Sequence, residues 1–121
     1  MTRINCGIPP AELTDKHLLA EHREIKRIPN TIKSGKAKVE NIPRVFTLGK
    51  GHVKFFYDKL YYLHIRYVLL YTECIKRGFK VTFYGGAFEG LPDHLYRDYC
   101  PTTEDERIIR ERIKLRLSGV K

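Results

Sequence analysis

One apolar stripe limits what this chain can fold into. Val53, Phe56, Leu60, Leu63, Tyr67, Leu70 and Cys74 recur at spacings of three and four residues, which puts them on one side of an α-helix. Gly78 follows Lys76 and Arg77. A glycine supplies the left-handed stop of a helix, and cations suit its carboxyl end. The pattern predicts one long core helix from Val53 to Arg77. Tyr61, Tyr62, Tyr71 and Ile75 widen its apolar face beyond the narrow seam of a two-chain coiled coil.

The rest of the chain is arranged around that helix. Gly7-Ile8-Pro9-Pro10 keeps a helix from starting at the terminus, so residues 1–14 read as an extended arm. A first helix is predicted from Thr14 or Asp15 to Ile28, where Pro29 stops it. A last helix follows Pro101, with Thr103-Glu104-Asp105-Glu106 as its capping box. Ile109 and Ile113 form its thin apolar stripe, and Arg112 and Arg116 face one way. Phe79 to Tyr84 could form a short strand, and Gly85-Gly86 and Gly90-Leu91-Pro92 are loop chemistry; with no second clear strand, residues 79–100 are expected to be mostly coil. Thr31 to Lys38, with Lys33, Lys36 and Lys38, reads as a basic short helix or loop, and Phe46 to Gly51 turns the chain. That turn lacks the full phosphate-loop pattern, so nucleotide binding is rejected. The expected fold is mainly α: a single domain, residues 1–121, of about three helices with irregular connections.

Composition narrows the function classes. The formal net charge is +9, which points to a polyanionic partner, nucleic acid first. No apolar run approaches the ~20 residues that span a bilayer, and the start lacks a signal-peptide core. A soluble, intracellular monomer is expected. Cys6, Cys74 and Cys100 include no C-x-x-C pair, so they read as buried thiols and not as a disulfide or zinc framework. No metal and no cofactor is called for.

The candidate chemistry lies at the amino end. Removal of Met1 would expose the α-amine of Thr2. An α-amine titrates near ~7.7–8.0, against ~10.4 for a lysine, and the Arg3 cation pushes it lower still. A neutral amine can attack a sugar carbon and form an imine. The first helix supplies Glu24, framed by Arg23 and Arg27. Such a carboxylate can stabilise a cationic sugar or imine and take up a proton, while the arginines hold phosphates. The same run also fits a solvated helix face with weak ion pairs. His17 reads either as a substrate-orienting group or as a structural histidine beside the core. His22, next to Arg23, reads as a stacking or phosphate-contacting residue or as plain surface.

Five separated segments resemble the pyrimidine-dimer DNA glycosylase/AP lyase family of T-even phages and algal viruses. They are Met-Thr-Arg-Ile-Asn at 1–5, Glu-Leu-x-Asp-x-His-Leu-x-Ala-Glu-x-Arg-Glu at 12–24, and Phe-Thr-Leu-Gly-x-Gly-His-Val-Lys-Phe-Phe-Tyr-Asp-Lys-Leu at 46–60. Lys-Arg-Gly-Phe at 76–79 and Asp-Tyr-x-Pro at 98–101 complete the set. The resemblance implies a viral DNA repair enzyme that acts in an infected host cell on UV-induced pyrimidine dimers in duplex DNA. Thr2 would attack the sugar carbon bearing the damaged base, and β-elimination would then cut the strand. Glu24 falls on the family's catalytic glutamate, Arg3, Arg23 and Arg27 on its substrate-binding arginines, and His17 on its active-site histidine. Arg112 falls on a family arginine near the DNA backbone, and Arg116 on a position usually Lys or Arg.

The departures are an added residue at Pro9-Pro10, His22 in place of Tyr or Phe, an unmatched loop at 83–95, and no counterpart of the aromatic C-terminal tail. Two other readings follow from them and from the charge. One keeps the chemistry but targets another damaged base or abasic sites alone. The other is a non-catalytic DNA-binding protein that kept the basic face.

Overall fold

The computed structural model describes residues 2–37, 39–48 and 51–117. Met1 and its removal, Lys38 of the basic loop, and Gly49-Lys50 of the turn lie outside the described residues. In chain order the helices are α1 (Asp15–Glu24), α2 (Arg27–Lys33), α3 (His52–Phe55), α4 (Leu60–Lys76) and α5 (Thr103–Leu117), with 3-10 turns at Pro10–Glu12, Phe56–Asp58, Gly85–Phe88 and Asp93–Leu95. The fold is mainly α, with no strand among the described residues. Residues 79–84 are irregular, in line with the expected coil. They have no neighbouring strand to pair with, and the Tyr84 N–H donates to the Tyr67 hydroxyl at 2.6 Å instead.

The apolar stripe forms the core, but in two pieces. Phe56, Leu60, Leu63, Tyr67, Leu70 and Cys74 are all buried, while the helix breaks at Lys59 (φ −129, ψ 38). Phe55 and Phe56 are both fully buried and meet edge to face at 5.1 Å. At the break the Lys59 N–H turns to the Phe56 carbonyl at 3.0 Å, and the Lys59 ammonium reaches the Phe55 carbonyl at 2.9 Å. Tyr62 and Tyr71 pack against the core, but Tyr61 and Ile75 are exposed. Gly78 stops α4 with φ +85.

Pro29 ends nothing where the sequence predicted a stop. It sits in the first turn of α2, and the interruption falls one turn earlier, at Ile25 and Lys26. A proline lacks the N–H that would bond the carbonyl four residues back, and its ring crowds that carbonyl. The carbonyl in question is Ile25's, and the Ile28 N–H takes it at 3.3 Å. The caps hold up better. His17 N–H donates to Thr14 Oγ1 at 3.3 Å. The box of α5 is one residue earlier than predicted: Asp105 N–H donates to Thr102 Oγ1 at 3.0 Å, and Thr102 N–H to Asp105 Oδ2 at 3.1 Å. Cys6 and Cys74 are buried as expected, and Cys100 is exposed.

The amino-terminal arm threads the interior. Ile4, Asn5, Cys6 and Ile8 are buried, and no neighbouring strand serves their backbone. Side chains do so instead, as buried polar groups require. Ile4 N–H donates to His52 Nε2 at 3.0 Å, Gly7 N–H to the Tyr62 hydroxyl at 3.3 Å, and the Ile8 carbonyl accepts from Arg66 Nη1 at 3.0 Å. Arg66 of α4 is 5% exposed and Glu21 of α1 is 1% exposed. Arg66 donates through Nε to Glu21 Oε2 and through Nη2 to Glu21 Oε1. Burial works against the Arg66 charge, but Glu21 outweighs it and the arginine pKa is raised.

Two predictions follow from this interior. Arg66→Met should cost about 3–5 kcal/mol in urea unfolding, because it strands a buried carboxylate. Pairing it with Glu21→Met should recover the part due to the stranded carboxylate but not the part due to the Ile8 carbonyl and Asn5 amide left unpaired; a double variant as unstable as the single would contradict the reading. His52 gives a pH signature. Its pKa is lowered to about 4, by burial first, against the opposing hydrogen bond to the Thr47 carbonyl. Folding therefore favours the neutral ring. The contribution is full above the unfolded value of 6.5 and is lost as pH falls toward 4, by roughly 3 kcal/mol. His52→Gln keeps an acceptor for Ile4 N–H without titrating, so its stability should fall less steeply between pH 6.5 and 4 than the wild type's.

Candidate active site

Helix α1 presents His17, Ala20, Glu21 and Glu24 at spacings of three, one and three, which share one helix face. With Arg3 and Asn5 of the arm and Arg112 and Arg116 of α5, they line a cavity of about 260 Å³. The small Ala20 leaves room between the longer side chains. A second cavity of about 480 Å³ is lined by Thr2, Arg3, Gly51, His52, Val53, Lys54, Tyr57 and Arg112. Arg3 and Arg112 line both; Glu24 lines the first and Thr2 the second.

One hydrogen bond ties the arm to the carboxylate. The Arg3 N–H donates to Glu24 Oε1 at 3.2 Å, which brings the Thr2–Arg3 peptide against Glu24. The other oxygen, Oε2, is 3.6 Å from Arg23 Nη2. The Glu24 side chain is 14% exposed and that of Arg23 is 60% exposed, so Glu24 is sheltered while Arg23 faces solvent. His17 shares a 2.9 Å hydrogen bond with Thr14 Oγ1 through Nδ1. Its pKa is lowered, by burial first and then by the cations Arg112, Lys16, Arg116 and Arg3. The histidine is thus held neutral at physiological pH, able to offer or accept one hydrogen bond at Nε2.

The predicted residues divide into three groups. Thr2, Arg3, His17, Glu24, Arg112 and Arg116 converge on the two cavities. Arg23 and Arg27 are exposed nearby but outside the lining of either cavity. His22 departs from the sequence reading. It is 3% exposed, its Nε2 is 3.0 Å from the Tyr67 hydroxyl, and its ring packs with Tyr67, Tyr71 and Tyr84. It faces the core because it lies one residue past Glu21 and three before Ile25, both buried. It is a packing residue and not a surface contact.

Sequence reasoning missed the residues that fix the cavity. Asn5 donates from Nδ2 to Glu21 Oε1 at 2.8 Å, and its Oδ1 accepts from Arg112 Nη2 at 2.7 Å. The signal for Glu21 and Arg66 was present: each is a charge on an otherwise apolar stripe, one between Leu18 and Ile25, the other between Leu63 and Leu70. Two opposite charges on facing stripes imply a buried pair. No group of three or more His, Cys, Asp or Glu residues suited to a metal occurs among the described residues. No helix among them is long and apolar enough to cross a membrane. Residues 1–83 match the family model described as pyrimidine dimer DNA glycosylase.

Proposed function

The chain belongs to the pyrimidine dimer DNA glycosylase family, and on that premise we propose that it excises damaged bases from duplex DNA, as a monomer, and cuts the strand through an imine on Thr2. The observation that carries this is the hydrogen bond from Arg3 N–H to Glu24 Oε1. It holds the amino end beside a sheltered carboxylate in a cavity rimmed by Arg3, Arg112 and Arg116.

The steps follow from that arrangement. Once Met1 is removed, the Thr2 nitrogen bonds to C1′ as the bond from C1′ to the damaged base breaks. The base leaves with the electron pair and takes up a proton. Opening of the sugar ring gives a protonated imine, which the Glu24 carboxylate faces and stabilises. Loss of a C2′ proton to a base then expels the 3′ phosphate and cleaves the strand. Glu24 is the residue placed to handle these protons. Hydrolysis of the imine returns the amine. Arg3, Arg112 and Arg116 hold phosphates within the cavity, while Arg23 and Arg27 hold the strand beside it. His17, held neutral, orients the sugar. Pulling a nucleotide from the stack costs a few kcal/mol, least at a damaged pair.

Glu24→Gln should leave duplex binding within about twofold while lowering incision of dimer-containing and abasic duplexes at least ~100-fold, the scale of general acid–base catalysis. Incision at the wild-type rate by this variant would remove Glu24 from the mechanism. Wild-type enzyme that cuts abasic but not dimer duplexes would confine the activity to the lyase step.

A further inference from the structure

Asn5 joins the arm to the cation of α5. It is 3% exposed, and its amide has no freedom of orientation. The Glu21 carboxylate accepts only, so it takes Nδ2; the Arg112 guanidinium donates only, so it takes Oδ1. Glu21 is fixed from behind by Arg66, which occupies both of its oxygens. Arg112 therefore stands at the end of a buried relay that starts on α4. It lines both cavities beside Thr2 and Glu24, and it forms no ion pair among the described residues; its partner is the neutral amide. Its pKa drops to about 10, through burial first and then through Arg3. Glu21, already paired with Arg66, acts on it in the opposite sense, so the guanidinium is still charged at neutral pH and has no ion-pair partner of its own among the described residues.

We propose that Asn5 is a positioning residue that aims Arg112 at a DNA phosphate while leaving its charge unneutralised, with Glu21 and Arg66 fixing Asn5 in turn. The inference rests on the DNA-repair reading of this site. A carboxylate at position 5 would hold Arg112 in the same place, but would cancel its charge and set a like charge against Glu21. The amide supplies the geometry alone. The charged and titratable groups around position 5 are His17, Glu21 and Glu24 from α1, Arg3 of the arm, and Arg112 and Arg116 from α5, with Arg66 of α4 behind Glu21.

The test compares the full-length wild type, Asn5→Asp, Arg112→Gln and the double variant. Duplex binding is measured across a salt series, and single-turnover incision at saturating enzyme across pH. The slope of log affinity against log salt should fall by about 0.9, one phosphate contact, in Asn5→Asp and equally in Arg112→Gln. The double variant should lose no more. The incision rate of Asn5→Asp relative to wild type should rise as pH falls, because a protonated carboxyl donates to Glu21 and accepts from Arg112 as the amide does. A folded Asn5→Asp with the wild-type salt slope and a pH-independent rate ratio would overturn the proposal.

Should Asn5→Asp fail to fold, Arg112→Lys decides. It keeps the charge, so the salt slope should hold, but an ammonium on a flexible stem cannot reproduce the held guanidinium, and incision should drop about tenfold or more. Wild-type incision by Arg112→Lys would also overturn it. The salt slope reads binding alone, so a failure of the imine chemistry leaves this result standing.

Discussion

The buried pair of Glu21 and Arg66 is the interaction on which the rest depends. Moving two charges out of water is expensive, and a buried pair repays that cost only when its remaining hydrogen bonds are satisfied. Here they are satisfied by the amino-terminal arm: Arg66 reaches the Ile8 carbonyl, and Glu21 takes the Asn5 amide. The pair therefore needs the arm, and the arm needs the pair, because residues 4–8 have no sheet to satisfy their backbone. A segment that would fray at the end of most domains is instead part of the core.

That coupling sets the position of the reactive end. Ile4 is fully buried and pinned to His52, and Arg3 is pinned to Glu24. Thr2 follows with one residue of slack. Imine chemistry depends on holding the amine near the sugar, and positioning of this kind accounts for a large part of catalysis. The cost is a charged core held in register by long-range contacts. The cavity it produces is lined by the sheltered Glu24, by Glu21, whose charge is taken up by Arg66, and by the cations Arg3, Arg112 and Arg116. Such a lining suits a polyanion, and it leaves Glu24 as the carboxylate outside the buried pair.

How much of this was legible in the sequence depends on how local each determinant is. The register of α4, the stop at Gly78 and the Thr14 cap are set by neighbours within a turn or so, and the sequence displayed them. The face of α1 carrying His17, Glu21 and Glu24 was readable from spacing alone, as was the alignment of Arg112 with Arg116. The break at Lys59 was not, because it depends on how the core accommodates Phe55 and Phe56; the break at Ile25–Lys26 is a local effect of Pro29, which acts on the carbonyl four residues back and so falls before the proline and not at it. His22 looked like surface because it neighbours Arg23, and only the packing of α1 against α4 turns it inward. Asn5 and His52 were silent for a plainer reason: their partners lie far away in the chain. Asn5 and Arg112 are 107 residues apart, and Ile4 and His52 are 48 apart. The family resemblance implied a chemistry without indicating what would hold it in place.

The central claim is that the interior delivers the Thr2 amine, and no other amine, to the sugar. Borohydride reduction of the protein with an abasic-site duplex traps any imine as a stable bond, and mass spectrometry maps the modified residue. Protein shown to lack Met1 should carry the adduct on the Thr2 nitrogen. An adduct on a lysine such as Lys54, which lines the same cavity as Thr2, or no adduct at all, would contradict the account.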